Sequence, residues 1–160
     1  MKPFLSRGKS LWGFAYALSG LWYVIRKERH FRFHICAAIG TFMFTEHYSF
    51  SKYEYALLAI AVVLVLSAEI MNTAVEHVVD LYTEEYHEKA KRAKDVSAAF
   101  VLVCSFFAIF TAYILFFEPA IIFPALLGML TRIKYIVFFA FTILFVWGKG
   151  IRIKGEKDGR

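Results

Sequence analysis

The chain has 160 residues, is 59% hydrophobic and carries a net charge of +6, with a mean hydropathy of +0.55. An apolar share this far above that of ordinary soluble domains excludes a water-soluble globule. The positive charge does not indicate nucleic acid either, because the basic residues flank apolar runs and form no patch, the placement that orients membrane helices.

Residues 9–27 place Leu11, Phe14, Leu18, Leu21, Trp22 and Ile25 at helical spacing, with polar residues on the other side. This predicts an amphipathic helix lying in the headgroup plane, anchored by Trp12 and Trp22. Lys2, Arg7 and Lys9 precede it without the apolar core of a cleavable leader, so no removable signal peptide is expected. Residues 31–48 form a short first span that opens with Arg32 and His34. Residues 53–79 form the second, and a polar connection containing TEEYHEKAKRAK follows. Residues 96–117 form the third span. Pro119 and Pro124 then interrupt the pattern, and 135–147, lengthened by Ile133 and Ile136, predicts a fourth transmembrane helix before a polar tail. Cys36 and Cys104 lie inside apolar runs at no metal or redox spacing and read as small buried thiols.

Sixteen of the nineteen Lys and Arg residues fall in the segment up to Arg32, in residues 89–94 and after Trp147. Four spans with both termini cytoplasmic put all three regions on one side, leaving Lys52, Arg132 and Lys134 on the other. The expected fold is therefore an all-α integral membrane protein with an N-terminal surface helix. Residues 1–118 form one domain and 119–160 an extension with the fourth transmembrane helix and a basic tail.

The string AEIMNTAVEHVVD places Glu69, Asn72, Thr73, Glu76 and Asp80 within an arc of roughly 100° on one helix face. A carboxylate at bilayer depth costs on the order of 3 kcal/mol even on the lenient insertion scale, so such a stripe points to chemistry or ion passage. Glu69 is the deepest, and burial makes a carboxyl a candidate general base near neutrality. Glu76 and Asp80 lie nearer water, where carboxylate oxygens suit a hard divalent cation. Asn72 offers both donors and an acceptor for orienting a hydroxyl or phosphate. Lys94 and Asp95 open the next span beside this face. A cation next to carboxylates at a lipid–water boundary suggests phosphoryl transfer to a lipid alcohol, which asks of the protein mainly positioning and charge neutralisation. Two other readings use the same residue types: hydrogen bonding between neighbouring helices and a proton or cation pathway, as in an ion or proton-coupled transporter. The chain lacks GxxxxGK[ST] and kinase-type glycine loops, so any nucleotide site is of another kind. Lys89, Lys91 and Arg92 read as topogenic or headgroup contacts, and His77, about 100° off the stripe, as structural.

The string AEIMNTAVEHVVDLYTEEYHEKAKRAKD, residues 68–95, resembles the prokaryotic diacylglycerol kinase family, which includes the undecaprenol kinases. It follows that family's E-[IL]-x-N-[ST]-A-[IV]-E-x-[VA]-V-D, then E-Y-H, then A-K-D. A second block, KERHFRFH, supplies Glu28 and the Phe31–Arg32 pair, and the resemblance covers roughly residues 9–117. It implies an ATP-dependent lipid kinase in the bacterial cytoplasmic membrane. The implied assembly is a homotrimer of three-span subunits, with active sites shared between subunits on the cytoplasmic side. By the same resemblance Glu69 takes the lipid hydroxyl proton, and Glu28 and Glu76 hold Mg²⁺ with the ATP phosphates. Lys94 binds phosphate with Asp95 beside it, and Asn72 is essential to the site. Glu85, Tyr86 and His87 match the nucleotide-contacting loop, Tyr16 a surface-helix contact to nucleotide, and Lys9 a basic position of the family. ERHFRFH resembles the undecaprenol branch (E-R-N-F-R-[IF]-H) more than the diacylglycerol branch, which makes Arg29, Arg32 and His34 candidates for choosing the lipid. The resemblance says nothing about residues 119–160, since the family usually ends soon after its third span.

Overall fold

The computed structural model describes residues 10–83 and 85–148, and among them every regular element is helical. Lys9 and the side chain of Trp12, the second expected anchor, lie outside what is described.

Helix α1 (Ser10–Lys27) ends on Arg26 and Lys27, cations that suit the negative end of a helix dipole. Phe14, Tyr16, Leu18 and Trp22 are all exposed and only Val24 is buried, so its apolar face is not covered by protein. That is what a helix lying in a lipid interface requires. Glu28 is extended and separates α1 from α2 (Arg29–Phe44), which runs into a 3₁₀ turn, Thr45–His47. Helix α3 (Lys52–Tyr82) starts in a reciprocal capping box, with Ser51 Oγ accepting from the Glu54 amide and Glu54 from the Ser51 amide. Helix α4 (Glu88–Phe116) starts where His87 Nδ1 accepts from the Lys89 amide.

Helix lengths decide depth. At 1.5 Å per residue α3 is about 46 Å long, well beyond a hydrocarbon core of about 30 Å. Measured from Lys52, Glu69 comes at about 26 Å and Glu76 at about 36 Å. Glu69 therefore sits just inside the far boundary of the core, and Glu76 and Asp80 just outside it. Among the described residues, α3 and α4 are the helices long and apolar enough to cross a membrane singly. Helix α2, at 16 residues, is about 24 Å long and starts earlier than the expected span because RHFRFH is itself helical.

Helix α6 (Ile133–Trp147) covers the expected fourth apolar run, and α5 (Pro119–Thr131), a helix not among those expected from the sequence, precedes it. The two are bent by 76° and together have the length and composition of a broken span or a re-entrant loop. The break falls at Arg132, not at the prolines. Pro119 occupies the first helical position, where a missing N–H costs nothing, and Pro124 removes one early hydrogen bond inside α5. Arg132 is the ion-pair partner of Glu46 at 2.8 Å. Helix α5 thus runs across the end remote from the acidic stripe, and α6 returns along α2.

Helices α3 and α4 form the main packed pair, around Val65, Ala68 and Cys104 with Val101 and Ala108 against them. Small residues here let the two backbones approach, the usual basis of helix association in lipid. Both cysteines are free and buried. At the remote end Phe44, Tyr48, Phe50 and Phe116 form one aromatic cluster, and the Tyr48 hydroxyl donates to the Phe116 carbonyl at 2.7 Å. That bond satisfies an acceptor left over at the end of α4.

Glu46 fastens the extension to this end. It accepts from Arg132 Nη1 and from the Tyr135 hydroxyl, both at 2.8 Å, and from Lys134. Its carboxyl is held well below the usual carboxylate range, at about 2. The Lys134 ammonium bonded to it contributes most and the Tyr135 hydroxyl next, against a smaller opposing push from burial. A carboxylate whose pKa falls on folding stabilises the fold fully above its unfolded value and loses that contribution as pH drops through its folded value. Glu46→Gln is therefore expected to speed amide exchange in α5 and α6 at neutral pH while leaving α3 and α4 unchanged. The wild-type protein is expected to loosen in the same way between pH of about 4 and about 2. Equal exchange in variant and wild type would dismiss the latch.

Candidate active site

Three polar links gather at the end of α3 that carries the acidic stripe. The first joins α2 to α3. His34 Nε2 lies 3.1 Å from Glu69 Oε1, with the Glu69 side chain 8% exposed and that of His34 22%. Glu69 follows Ala68, the most deeply buried residue of the α3–α4 seam, so packing rather than solvent fixes its position. His34 is the more exposed of the pair, and the carboxylate behind it is largely covered.

The second link joins α3 to α4. Asn72 Nδ2 donates to Glu76 Oε1 at 2.7 Å, and Ser97 Oγ lies 2.7 Å from Asn72 Oδ1 and 2.8 Å from the Lys94 carbonyl. Both ends of the Asn72 amide are engaged, which fixes its orientation and that of the Glu76 carboxylate. Ser97 was not among the residues the sequence singled out. Its only local signal is a hydroxyl near the start of an apolar run, three residues after Lys94. Beside this link a shallow groove of about 600 Å³ is lined by Asn72, Ser97, Lys89 and Arg92 together with apolar residues.

The third link is Lys94 Nζ to Asp80 Oδ1 at 2.5 Å, between side chains 37% and 61% exposed. An ion pair this wet contributes about 0–1 kcal/mol. Asp95 beside it is exposed.

Other candidates lie apart. Glu85, Tyr86 and His87 form the exposed connection between α3 and α4, with Thr83 Oγ1 bonded to the Glu85 backbone. Tyr16 is exposed on α1. Glu28 is half-buried at the α1–α2 junction. His77 packs edge-on against Tyr23 at 5.4 Å, tying α1 to α3. Among the described residues no group of three or more His, Cys, Asp or Glu side chains converges. That donor set suits Mg²⁺ only in its usual phosphate-bound form, where one or two carboxylates suffice and phosphates and water supply the rest.

Arg29 and Arg32 both lie against the end of α6. The Arg32 guanidinium is buried. It donates through Nη1 to the Arg26 carbonyl at 2.8 Å, and through Nη2 to the Val146 carbonyl of α6 at 3.3 Å. The Arg29 guanidinium lies 4.9 Å over the Trp147 ring. The ends of α1 and α6 thus meet at Arg32, on the same side as the acidic stripe.

Helices sized for a bilayer, with a buried carboxylate–imidazole pair at its edge and cations just beyond, define a helical membrane protein with a polar site at the lipid–water boundary. Residues 15–116 match the family described as prokaryotic diacylglycerol kinase, and the chain belongs to that family. It is 38% identical over 90 residues (56% of this chain, 73% of the relative) to the undecaprenol kinase of Bacillus subtilis. It is 35% identical over 107 residues (66% of this chain, 61% of the relative) to the diacylglycerol kinase of Synechocystis sp.. With the diacylglycerol kinase of Escherichia coli the identity is 48% over 59 residues, which is 37% of this chain and 48% of the relative. Membership makes the chain a lipid kinase with ATP as co-substrate.

Proposed function

We propose that the chain phosphorylates undecaprenol from ATP at the cytoplasmic face of a bacterial inner membrane. The observation that carries this reading is the Glu69–His34 pair, a carboxylate held in the apolar seam with one polar neighbour at 3.1 Å. A lipid alcohol in the adjoining leaflet brings its hydroxyl to that depth. Glu69 takes the hydroxyl proton, the alkoxide oxygen attacks the γ-phosphorus, and the bond to the β-phosphate oxygen breaks to release ADP. Lys94 leaves Asp80 for the transferring phosphate, and Asn72, pinned by Ser97, holds Glu76. Mg²⁺, bound with the triphosphate by Glu28 and Glu76, would neutralise the charge that develops on the phosphates. Lys9, Tyr16, Glu85, Tyr86, His87 and Asp95 form the polar surroundings of the nucleotide. A homotrimer whose sites draw on two subunits is the assembly that goes with this reading of the family. Cross-linking mass spectrometry in native membranes tests that assembly.

Undecaprenol is favoured over diacylglycerol by ERHFRFH, which resembles the undecaprenol branch. Arg29 and Arg32 bear on the choice through the extension they hold, and His34 through Glu69. The test is transfer of radiolabelled γ-phosphate with undecaprenol and dioleoylglycerol offered together in mixed micelles. Label on undecaprenol is the expected result. Label on the glycerolipid alone moves the substrate to the other branch, and ATP-independent ion flux without labelled lipid ends the kinase reading.

Ser97 gives a smaller check. Ser97→Ala frees Asn72 Oδ1 and, at about 1 kcal/mol for one hydrogen bond, is expected to lower kcat about fivefold with little change in ATP affinity. An unchanged kcat removes Ser97 from the positioning role.

A further inference from the structure

The α5–α6 pair lies beyond residues 15–116, the stretch that matches the family, and phosphoryl transfer as described makes no direct use of it. It is nevertheless fastened to α2 at three levels. Glu46 holds Arg132, Lys134 and Tyr135 at the remote end. Arg32 and Arg29 hold Val146 and Trp147 at the site end. Midway, Phe138 seats against Gly40 so closely that a Cβ there would come within 3.1 Å of the ring.

Between these fastenings the extension does not lie flat on α2. It encloses an open apolar groove of about 590 Å³, walled by α2, α4 and α6 and closed toward the remote end by Ile122, Leu126 and Met129 of α5. No charged side chain lines the groove. The Thr41 hydroxyl is turned back to the Ala37 carbonyl at 2.8 Å, and the Tyr135 hydroxyl is occupied by Glu46 and the Met43 carbonyl. A second, narrower cleft of about 100 Å³ lies between α2, α3 and α4 and has His34 at its site end. The two hollows share Ala37, Thr41 and Ala112. One layer of small side chains on α2 and α4 therefore separates the groove from the cleft that has His34 at its site end. Hydrocarbon of any lipid fits such a lining. Adjacency to that cleft is what selects one occupant.

We propose that this groove holds the hydrocarbon chain of the phosphoryl acceptor, so that the α5–α6 extension sets preference for chain length at the kinase site. The inference rests on the phosphotransfer reading above. A hydroxyl at Glu69 directs its chain along α2, and Phe44, ten residues past His34, lies about 15 Å further on. The groove then takes up the distal chain, and its open side lets a longer chain continue into the bilayer. A volume of about 590 Å³ falls within the range of about 300–1,000 Å³ usual for ligand pockets.

The test uses the full chain in mixed micelles and compares undecaprenol with the short isoprenoid alcohol farnesol, which shares its reacting end. Met129→Trp puts bulk into the floor of the groove. The ratio of kcat/KM for undecaprenol to that for farnesol is expected to fall about tenfold, the worth of about two buried methylenes. An unchanged ratio overturns the proposal. A second measurement needs no variant: a polyprenol carrying a diazirine about 15 Å from its hydroxyl, the distance from His34 to Phe44 along α2, is photolysed with the wild-type chain. Label is expected on peptides of α5 and α6, suppressed by excess undecaprenol but not by phosphatidylcholine. Label confined to α3 and α4, or suppressed equally by phosphatidylcholine, overturns the proposal. The two failures separate. A wild-type chain that phosphorylates no alcohol sinks the phosphotransfer reading, whereas one that phosphorylates both, with the ratio unmoved in Met129→Trp, sinks only the groove.

Discussion

Glu69→Gln is expected to leave a folded, ATP-binding protein that turns over about 10²–10⁴-fold more slowly, the range for loss of a general base. Glutamine keeps the volume and one oxygen facing His34 but cannot accept the alcohol proton. The substitution also removes a charge from a site about 4 Å inside the core boundary, counted from the helix rise and core thickness. The fold should therefore tolerate it, and the loss should be catalytic. The measurement is kcat for lipid phosphorylation together with ATP binding and helix content in the same preparation. A defect confined to kcat supports the role, because interactions used only in the transition state lower kcat without weakening the ground-state complex. Wild-type turnover in this variant removes Glu69 from the role of base. The Asn72 link offers no substitute there, since Glu76 lies about 10 Å further along the helix.

The second large effect concerns the metal. Glu28→Gln and Glu76→Gln are each expected to raise the Mg²⁺ concentration for half-maximal activity by at least about tenfold; outer-shell partners of a metal site alone commonly account for 10–100-fold. The two carboxylates are reached differently. Glu76 is already oriented by Asn72 at 2.7 Å, whereas Glu28 sits at a helix break on another element. Glu76→Gln should thus also disturb Asn72 and lower kcat at saturating Mg²⁺, while Glu28→Gln should be rescued by added metal. Titrating Mg²⁺ at fixed ATP separates the two behaviours. Metal curves that overlay the wild type in both variants dismiss these residues as ligands.

Both experiments gain from the extension's attachment. If Arg32 and Glu46 hold α6 against α2, as their bonds to Val146, Arg132 and Tyr135 indicate, then His34, on the same turn region of α2 as Arg32, inherits that rigidity. A catalytic contact loosened by even about 1 Å can cost about 10²-fold. Effects of extension variants on rate therefore need the acceptor comparison described above before they are read as loss of a chain-binding surface.

Local features were legible in the chain itself. A period of 3.6 residues placed Glu69, Asn72, Thr73, Glu76 and Asp80 on one face, and hydropathy with flanking cations marked α3 and α4 as membrane helices. The S-K-Y-E capping signal stands where α3 begins. What depends on distant partners was not legible. The His34–Glu69, Ser97–Asn72 and Glu46–Arg132 pairings join residues far apart in the chain, and nothing within one helix turn specifies them. Arg32 is the clearest case. The resemblance makes it a candidate for choosing the lipid; its partners in the fold are backbone carbonyls of two helix ends, one of them 114 residues away. A carbonyl has no side-chain identity, so no sequence pattern announces it. The bend at Arg132 was not legible either, since it falls at neither proline. Sequence alone determined that α1 to α4 and α6 are helical, which carboxylates share a face and which chemistry suits them, because those follow from spacing and polarity along the chain; α5, with its two prolines, it did not announce. Only the tertiary structure decided which of these groups meet and that the extension walls an apolar groove, because packing of helices brings together what spacing cannot.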